Sequence, residues 1–301
     1  MYGNTELGVL YALGTAFSWA TAGIIHTAIA RRVGVQGVML LRQPVAFAAL
    51  GAACLICGIP LLTSPHFLLL AALSGISGIL IGDACLYAGA LRIGLRPAQV
   101  CLSLSSSFTA IIGAIFLGER IGIQGAVGIA VATVGVVLVV ASERGDAHNP
   151  PARGPARTRG IALCLFSALM LATGMIFSKQ ALSEGMNELS LALYRNGVSM
   201  IGIILVAALR GAFRPVFSGM AKQPEVAGLV PLGCLFGPAG GIWLSCVAIK
   251  LLPASVAAML IGLEPIALLI IMGVMERRMP RRDSILGAIV ACTGAAILVT
   301  R

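Results

Sequence analysis

Charge is what this sequence has least of. Only 11% of its 301 residues are charged, against 58% hydrophobic, whereas soluble proteins carry about a quarter. The 21 basic and 11 acidic side chains cannot coat a core of this size in water, which excludes a cytosolic enzyme. Catalytic signatures are missing as well: no H-E-x-x-H, no G-x-S-x-G and no carboxylate cluster occurs. The three histidines, His26, His66 and His148, are scattered along the chain, so neither a metal site nor a cofactor is expected. All eight cysteines fall inside apolar runs, where thiols act as small apolar groups, and no disulfide is expected. Cys54 and Cys57 spell C-x-x-C but lack the further ligands or solvent access that redox or metal chemistry needs. Nucleic acid is no partner either. The net charge of +10 sits between apolar runs, where it reports orientation in a bilayer.

Long apolar runs fill the rest. A membrane helix needs roughly 20 mainly apolar residues, and the sequence predicts ten such spans: 7–30, 37–58, 67–91, 97–117, 121–141, 160–182, 189–209, 226–249, 254–275 and 284–300. The first lacks the basic flank and small-residue cleavage site of a signal peptide and reads as a retained helix. Residues 142–159, SERGDAHNPPARGPARTR, are polar and rich in Pro and Arg. They read as a linker between halves 1–141 and 160–301.

The halves repeat. Leu41-Arg42-Gln43 in the second span is answered by Tyr194-Arg195-Asn196 in the seventh, and Pro97-Ala98-x-Val100 in the fourth by Pro253-Ala254-x-Val256 in the ninth. Glu119-Arg120 and Glu276-Arg277 follow at matching distances and read as helix terminators. Gly128 and Gly135 share their spacing with Gly287 and Gly294. Five helices is an odd number, so the second copy enters the membrane from the opposite side. Charge tests this independently: 15 basic residues flank the loops after spans 1, 3, 5, 7 and 9, and four lie on the other side. The positive-inside rule puts the linker in the cytoplasm and both termini outside.

Two five-helix copies, each with an Arg early in its second helix and a Pro-Ala…Glu-Arg fourth helix, with Leu263-Glu264-Pro265 in the second copy, resemble the EamA-type family of the drug/metabolite transporter superfamily. The resemblance covers nearly the whole chain. It implies an all-α integral membrane protein of ten transmembrane helices in two inverted five-helix repeats, with a substrate cavity between them. It further implies a secondary transporter, often an exporter, of amino acids, related metabolites or drugs across the plasma (inner) membrane. Ser107 stands in the first copy where Glu264 stands in the second, so a role resting on the acidic-proline motif cannot be symmetric.

The residues add chemistry to that expectation. A charge at the bilayer centre costs about 2.5 to 3.5 kcal/mol or more and persists when paired or facing an aqueous cavity. Arg42 lies about 7 Å and Asp83 about 12 Å from the cytoplasmic ends of their spans, so the two can pair. Arg195 is equally shallow on the outer side, and Glu264 lies about 15 Å from that surface, which makes a looser pair. Both arginines could instead snorkel and pin their helices. The carboxylates have no stem with which to do so, and a protonatable carboxylate in a cavity is what a proton-coupled exchanger needs. Ser103, Ser106 and Ser107 share a helix face and could form a polar cavity wall or simply pack closely. Aromatics are few, so Trp19, Tyr87, Tyr194 and Trp243 stand out, and Trp19, Tyr194 and Trp243 complete the candidate substrate and coupling residues, with core or lipid-facing packing as the alternative. Gly237-Pro238-x-Gly240-Gly241 interrupts the eighth span where the third has Gly78 to Gly82, as discontinuous transporter helices do. The partners expected are a small-molecule substrate, membrane lipid and protons as the candidate coupling ion, in a monomer or homodimer. A passive facilitator and a flippase for lipid headgroups or polyprenyl carriers remain open alternatives.

Orientation is the first testable consequence. In intact cells the thiol of Gly154→Cys is expected to be shielded from a membrane-impermeant reagent; labelling there would reverse the assigned topology.

Overall fold

The computed structural model describes residues 2–60, 63–118, 122–141, 154–276 and 282–299. Glu119, Arg120, Arg277 and most of the linker lie outside them. Every regular element among the described residues is helical, because a chain in hydrocarbon must satisfy its backbone groups within each segment. In chain order the helices are α1 (Tyr2–Ile56), α2 (Pro65–Ser74), α3 (Ala84–Ile93), α4 (Leu95–Ser103), α5 (Ser105–Phe116), α6 (Ile123–Ala141), α7 (Pro155–Ser183), α8 (Glu188–Leu209), α9 (Phe213–Lys222), α10 (Glu225–Cys234), α11 (Gly240–Leu251), α12 (Ala254–Ile261), α13 (Glu264–Glu276) and α14 (Arg282–Val299).

Among the described residues seven helical runs are long and apolar enough to cross a membrane, and two shorter apolar stretches lie at Ile123–Gly135 and Ile285–Gly294. The first of the seven holds two of the expected spans. At Gly34, φ 76° and ψ 168° place the backbone where only glycine is unstrained, and helix α1 turns back on itself there. Sixteen residues of straight helix would separate His26 from Arg42 by about 24 Å, yet Arg42 Nη1 lies 3.5 Å from His26 Nδ1. Helix α7 begins at Pro155, inside the stretch the sequence reading assigns to the linker. Helix α9 is a short addition in the loop after α8, and Val216 is its buried anchor.

The third and eighth spans share a departure from α-geometry. A π-helical segment, Gly75–Asp83, joins α2 to α3, and another, Leu235–Ala239, joins α10 to α11. The glycine-rich sequences predict an interruption here; the chain instead widens its turns and continues. A π segment leaves the regular ladder short of bonds, and neighbouring side chains supply them. Ser199 Oγ donates to Gly75 O at 2.9 Å and Ser167 Oγ to Gly82 O at 2.7 Å. In the second segment Ser18 Oγ donates to Phe236 O at 2.6 Å and Asn196 Nδ2 to Pro238 O at 2.9 Å. The fourth and ninth spans are each split, at Leu104 between α4 and α5 and at Gly262-Leu263 between α12 and α13.

Small residues set the packing, as expected where lipid is as apolar as the helices themselves. A Cβ at Gly135 would sit 2.6 Å from Ala291 Cα, and one at Gly294 2.7 Å from Ala132 Cα. Helices α6 and α14 therefore run antiparallel with backbones in contact. The second arm of α1 and helix α8 are antiparallel too: Gln43 bonds Asn196, and Leu193 lies against Gly51.

Replacing Gly135 or Gly294 by Leu must push α6 and α14 apart, since the obstacle is backbone. The expected cost is about 1–3 kcal/mol, read as a lower melting temperature of the purified protein. Gly228→Ala, which meets nothing within 4 Å, is the control and should stay within about 0.5 kcal/mol.

Candidate functional site

A partly open cavity lies between the halves of the chain. Its wall takes residues from α1, α3, α4, α7, α8, α11, α13 and both π segments. Arg42, Asp83, Arg195 and Glu264 all line it, as does Trp19. Four charged residues far apart in sequence thus meet around one space, each surrounded by apolar side chains such as Leu86, Leu95, Leu102 and Leu171.

Arg42 is 2% exposed, and both of its terminal nitrogens are engaged while Nε has no acceptor. Its Nη2 pairs with Asp83 Oδ2 and approaches Met39 Sδ at 3.4 Å, while Nη1 donates to Tyr87 Oη at 3.1 Å. The guanidinium also stands 5.2 Å from the centre of the Tyr87 ring, within cation–π range. Tyr87 Oη, having accepted from Arg42, turns its own proton toward His26 Nδ1 at 2.9 Å. His26 fits because Gly233 and Gly237 face it, where a Cβ would come within 2.8 and 2.7 Å of the ring. The depth argument pairs Arg42 with Asp83, and the structure brings them together. It adds His26, which the motifs do not signal, and gives Tyr87, one of the few aromatics, a place beside the arginine. Of this group Asp83 is the most open, with 26% of its side chain exposed, and it reaches into the cavity.

Glu264 is built differently. It is the first residue of α13, just after the split in the ninth span and just before Pro265, whose missing N–H costs nothing in a first turn. The N-terminal end of the helix dipole favours negative charge there. Glu264 Oε1 accepts from Gln99 Nε2 at 2.8 Å, and Gln99 Oε1 has no partner. Gly23 borders both: a Cβ there would lie in ordinary contact, 3.4 Å from Gln99 Nε2 and 3.9 Å from Glu264 Oε1. The expected looser pair between Arg195 and Glu264 does not form; Gln99, from the opposite repeat, takes the carboxylate. Arg195 is 5% exposed, and its Nη1 reaches Cys246 Sγ at 3.8 Å.

The other candidates divide. Trp19 lies flat in the cavity wall because Gly241 has no side chain; a Cβ there would approach Trp19 Cδ1 to 2.6 Å. Tyr194 and Trp243 are outside the cavity lining. Each is one residue from a lining residue, Arg195 and Ile242, and one helical step rotates a side chain by about 100°. Trp243 is 38% exposed and packs edge-on against Tyr11 at 6.3 Å. Ser103 lines a smaller adjoining pocket with Glu264 and Gln99. Ser106 is buried and spends its hydroxyl on Ser103 O at 2.8 Å, and Ser107 lines neither space. Ser106 thus lies one turn from Ser103, on the same side of the span, with its hydroxyl spent within the helix. Gln99 was missed, although an amide inside an apolar span is the same kind of signal that marks Asp83.

Away from the cavity, ion pairs tie the loops. Lys250 Nζ meets Glu188 Oε1 at 2.6 Å, and Lys179 Nζ donates to Ile249 O and Leu252 O at 2.8 and 2.7 Å. His66 Nε2 meets Glu184 Oε2 at 2.6 Å. The bond from His66, with one from Gln180, holds the exposed Glu184 carboxyl below the usual range. Arg32 and Glu225 join at 2.8 Å at the opposite end of the bundle.

Comparison with known proteins agrees with this architecture. A solved crystal structure of a protein superposes with a TM-score of 0.75 at 17% identity, covering 96% of this chain and 94% of that chain; at that identity the likeness is one of fold. An uncharacterized transporter of Archaeoglobus fulgidus is 33% identical over 110 residues, 36% of this chain and 36% of that protein. The chain thus matches little more than a third of that relative's length. The model of the EamA-like transporter family matches twice in tandem, over residues 6–141 and 158–300. A multi-pass helical membrane protein built as two such copies belongs to the EamA-like transporter family.

Proposed function

We propose that this protein is a secondary transporter that exports a small metabolite across the plasma membrane by alternating access, with a carboxylate in the cavity exchanging protons. The observation that carries the reading is Glu264: a carboxylate 6% exposed, at a helix start inside the bilayer, bonded to a neutral amide from the other repeat. An ionised carboxylate in such a place is tolerated only with a partner or water, and Gln99 can serve either of its protonation states. Asp83, tied to Arg42, is the second choice.

The reading includes ten crossings in two inverted repeats, with termini outside and the linker cytoplasmic. The antiparallel contacts of α6 with α14 and of the second arm of α1 with α8 support the inversion, since these are the corresponding helices of the two copies. Gln43 and Asn196 hold equivalent positions in the copies and bond each other at 3.2 Å, as residues beside a two-fold axis would. Inverted copies give two nearly equivalent packings whose exchange opens the cavity to opposite sides. The lining reaches Tyr87 and Leu95, toward the end of the bundle rich in basic residues, while Lys250–Glu188 and Lys179 tie the other end. On the proposed topology that end is the cytoplasmic one, which supports reading the cavity as facing the cytoplasm.

Glu264→Gln removes the charge and keeps the shape. The variant should insert and fold normally, lose transport driven by a pH gradient by at least about tenfold, and keep substrate-for-substrate exchange in proteoliposomes. Full pH-driven transport by Glu264→Gln would make this residue structural and move the coupling role to Asp83. Transport equally indifferent to an imposed gradient in the unmodified protein would favour a passive facilitator.

A further inference from the structure

The two buried arginines are equivalent in the repeats and unequal in their surroundings. Arg42 has a carboxylate, a phenol and a thioether around its guanidinium. Arg195 is nearly as deeply buried, and what it touches is neutral: Cys246 Sγ at 3.8 Å is its side-chain contact, while the Nε of each arginine has no acceptor. Neither carboxylate of the cavity compensates it, for Asp83 is taken by Arg42 and Glu264 by Gln99. A guanidinium stays charged at any physiological pH, and leaving one buried without a counter-ion is among the costliest arrangements a protein can hold.

The fold does not merely tolerate this group; it makes room for it. Gly75 lies against the Arg195 carbonyl, and Ser199 Oγ, which bonds that same carbonyl at 2.6 Å, also bonds Gly75 O. The π segment is thereby clamped onto α8 at the arginine. A Cβ at Gly78 would stand 3.5 Å from Arg195 Nη2, so the open side of the wide turn is where the guanidinium lies, facing the cavity. Around it the lining is largely apolar, including Ile79, Leu171 and Ile242.

We infer that Arg195 is a recognition residue for an anionic group of the transported molecule, and that the substrate is a small organic carboxylate with an apolar body. The carboxylate replaces the missing counter-ion through charge-assisted hydrogen bonds from the guanidinium, and the body packs against the leucine and isoleucine walls beside Trp19. Arg42 is unavailable for this role because its carboxylate partner is built into the protein. This inference rests on the transporter reading for the word substrate, but the binding site itself does not.

The test uses the full chain in lipid nanodiscs, with Trp243→Phe leaving Trp19 as the remaining tryptophan of the two and thus a fluorescent reporter in the cavity wall. The probes are hexanoate, its neutral isostere hexanamide, and acetate, which carries the charge with almost no body. Hexanoate is expected to change Trp19 emission saturably, hexanamide not to, and acetate to bind at least about tenfold more weakly. Arg195→Gln should weaken hexanoate at least about tenfold, with Arg195→Lys intermediate because it keeps the charge and loses the fork. The inference is overturned if hexanoate gives no saturable response, if hexanamide binds as well as hexanoate, or if Arg195→Gln binds hexanoate like its parent. The acid-against-amide comparison needs no substitution at Arg195, so misfolding of that variant does not protect the idea. Counterflow in proteoliposomes separates the two proposals: Arg195-dependent binding without any flux sinks the transporter reading alone, and flux of neutral amides without acids sinks the carboxylate alone.

Discussion

No water is available in hydrocarbon to satisfy a backbone group, and the architecture of this protein follows from that one constraint. Regular helix meets it automatically, so a change of helical geometry within the bilayer must bring its own partners. The π segments do so through Ser199, Ser167, Ser18 and Asn196, which donate to Gly75, Gly82, Phe236 and Pro238. Each of these donors sits on a different helix from the carbonyl it serves. The irregular turns therefore act as rivets between helices, and they occur where the cavity is. Widened turns free space and carbonyls together, and the polar side chains that fill the second need are what hold the halves in register.

Charge obeys the same constraint at higher stakes. Two arginines and two carboxylates in a bilayer interior would form two ion pairs if economy alone ruled, and one pair does form, between Arg42 and Asp83. The other two groups are kept apart, Glu264 by an amide bond donor and Arg195 by the wall of the third span. A duplicated fold has become chemically asymmetric at this point. In one copy the arginine is neutralised within the protein, and in the other it is left to face the cavity. An ancestral repeat pair needs only a few such substitutions to turn a symmetric scaffold into a site with distinct ends.

Much of this was legible beforehand because hydrophobicity in a membrane is a matter of length and composition. The apolar runs, the tandem copies and the four charged residues that belong to the cavity stand in the linear sequence, since each costs free energy irrespective of neighbours. Where inference depended on helix phase it fared less well. Helix spacing puts Ser106 and Ser107 with Ser103, yet Ser106 turns its hydroxyl back to the Ser103 carbonyl and neither lines the cavity. Tyr194 and Trp243 were singled out as rare aromatics, yet a single residue step turns each away from the space that its neighbour lines. Gln99 carried a readable signal as an amide in an apolar span; His26 became meaningful only beside Arg42.

The sequence by itself determined that the chain is a helical membrane protein in two related halves and that Arg42, Asp83, Arg195 and Glu264 need special surroundings. Burying a charge in lipid is expensive wherever the chain goes, so this much follows from composition and periodicity. Tertiary structure alone decided who answers whom: Asp83 for Arg42, Gln99 for Glu264, and no carboxylate for Arg195. Those choices go with close approaches of helices and side chains at glycines such as Gly75, Gly233 and Gly241. Such distances arise only when segments far apart in the chain pack together, and no local pattern in the chain encodes them.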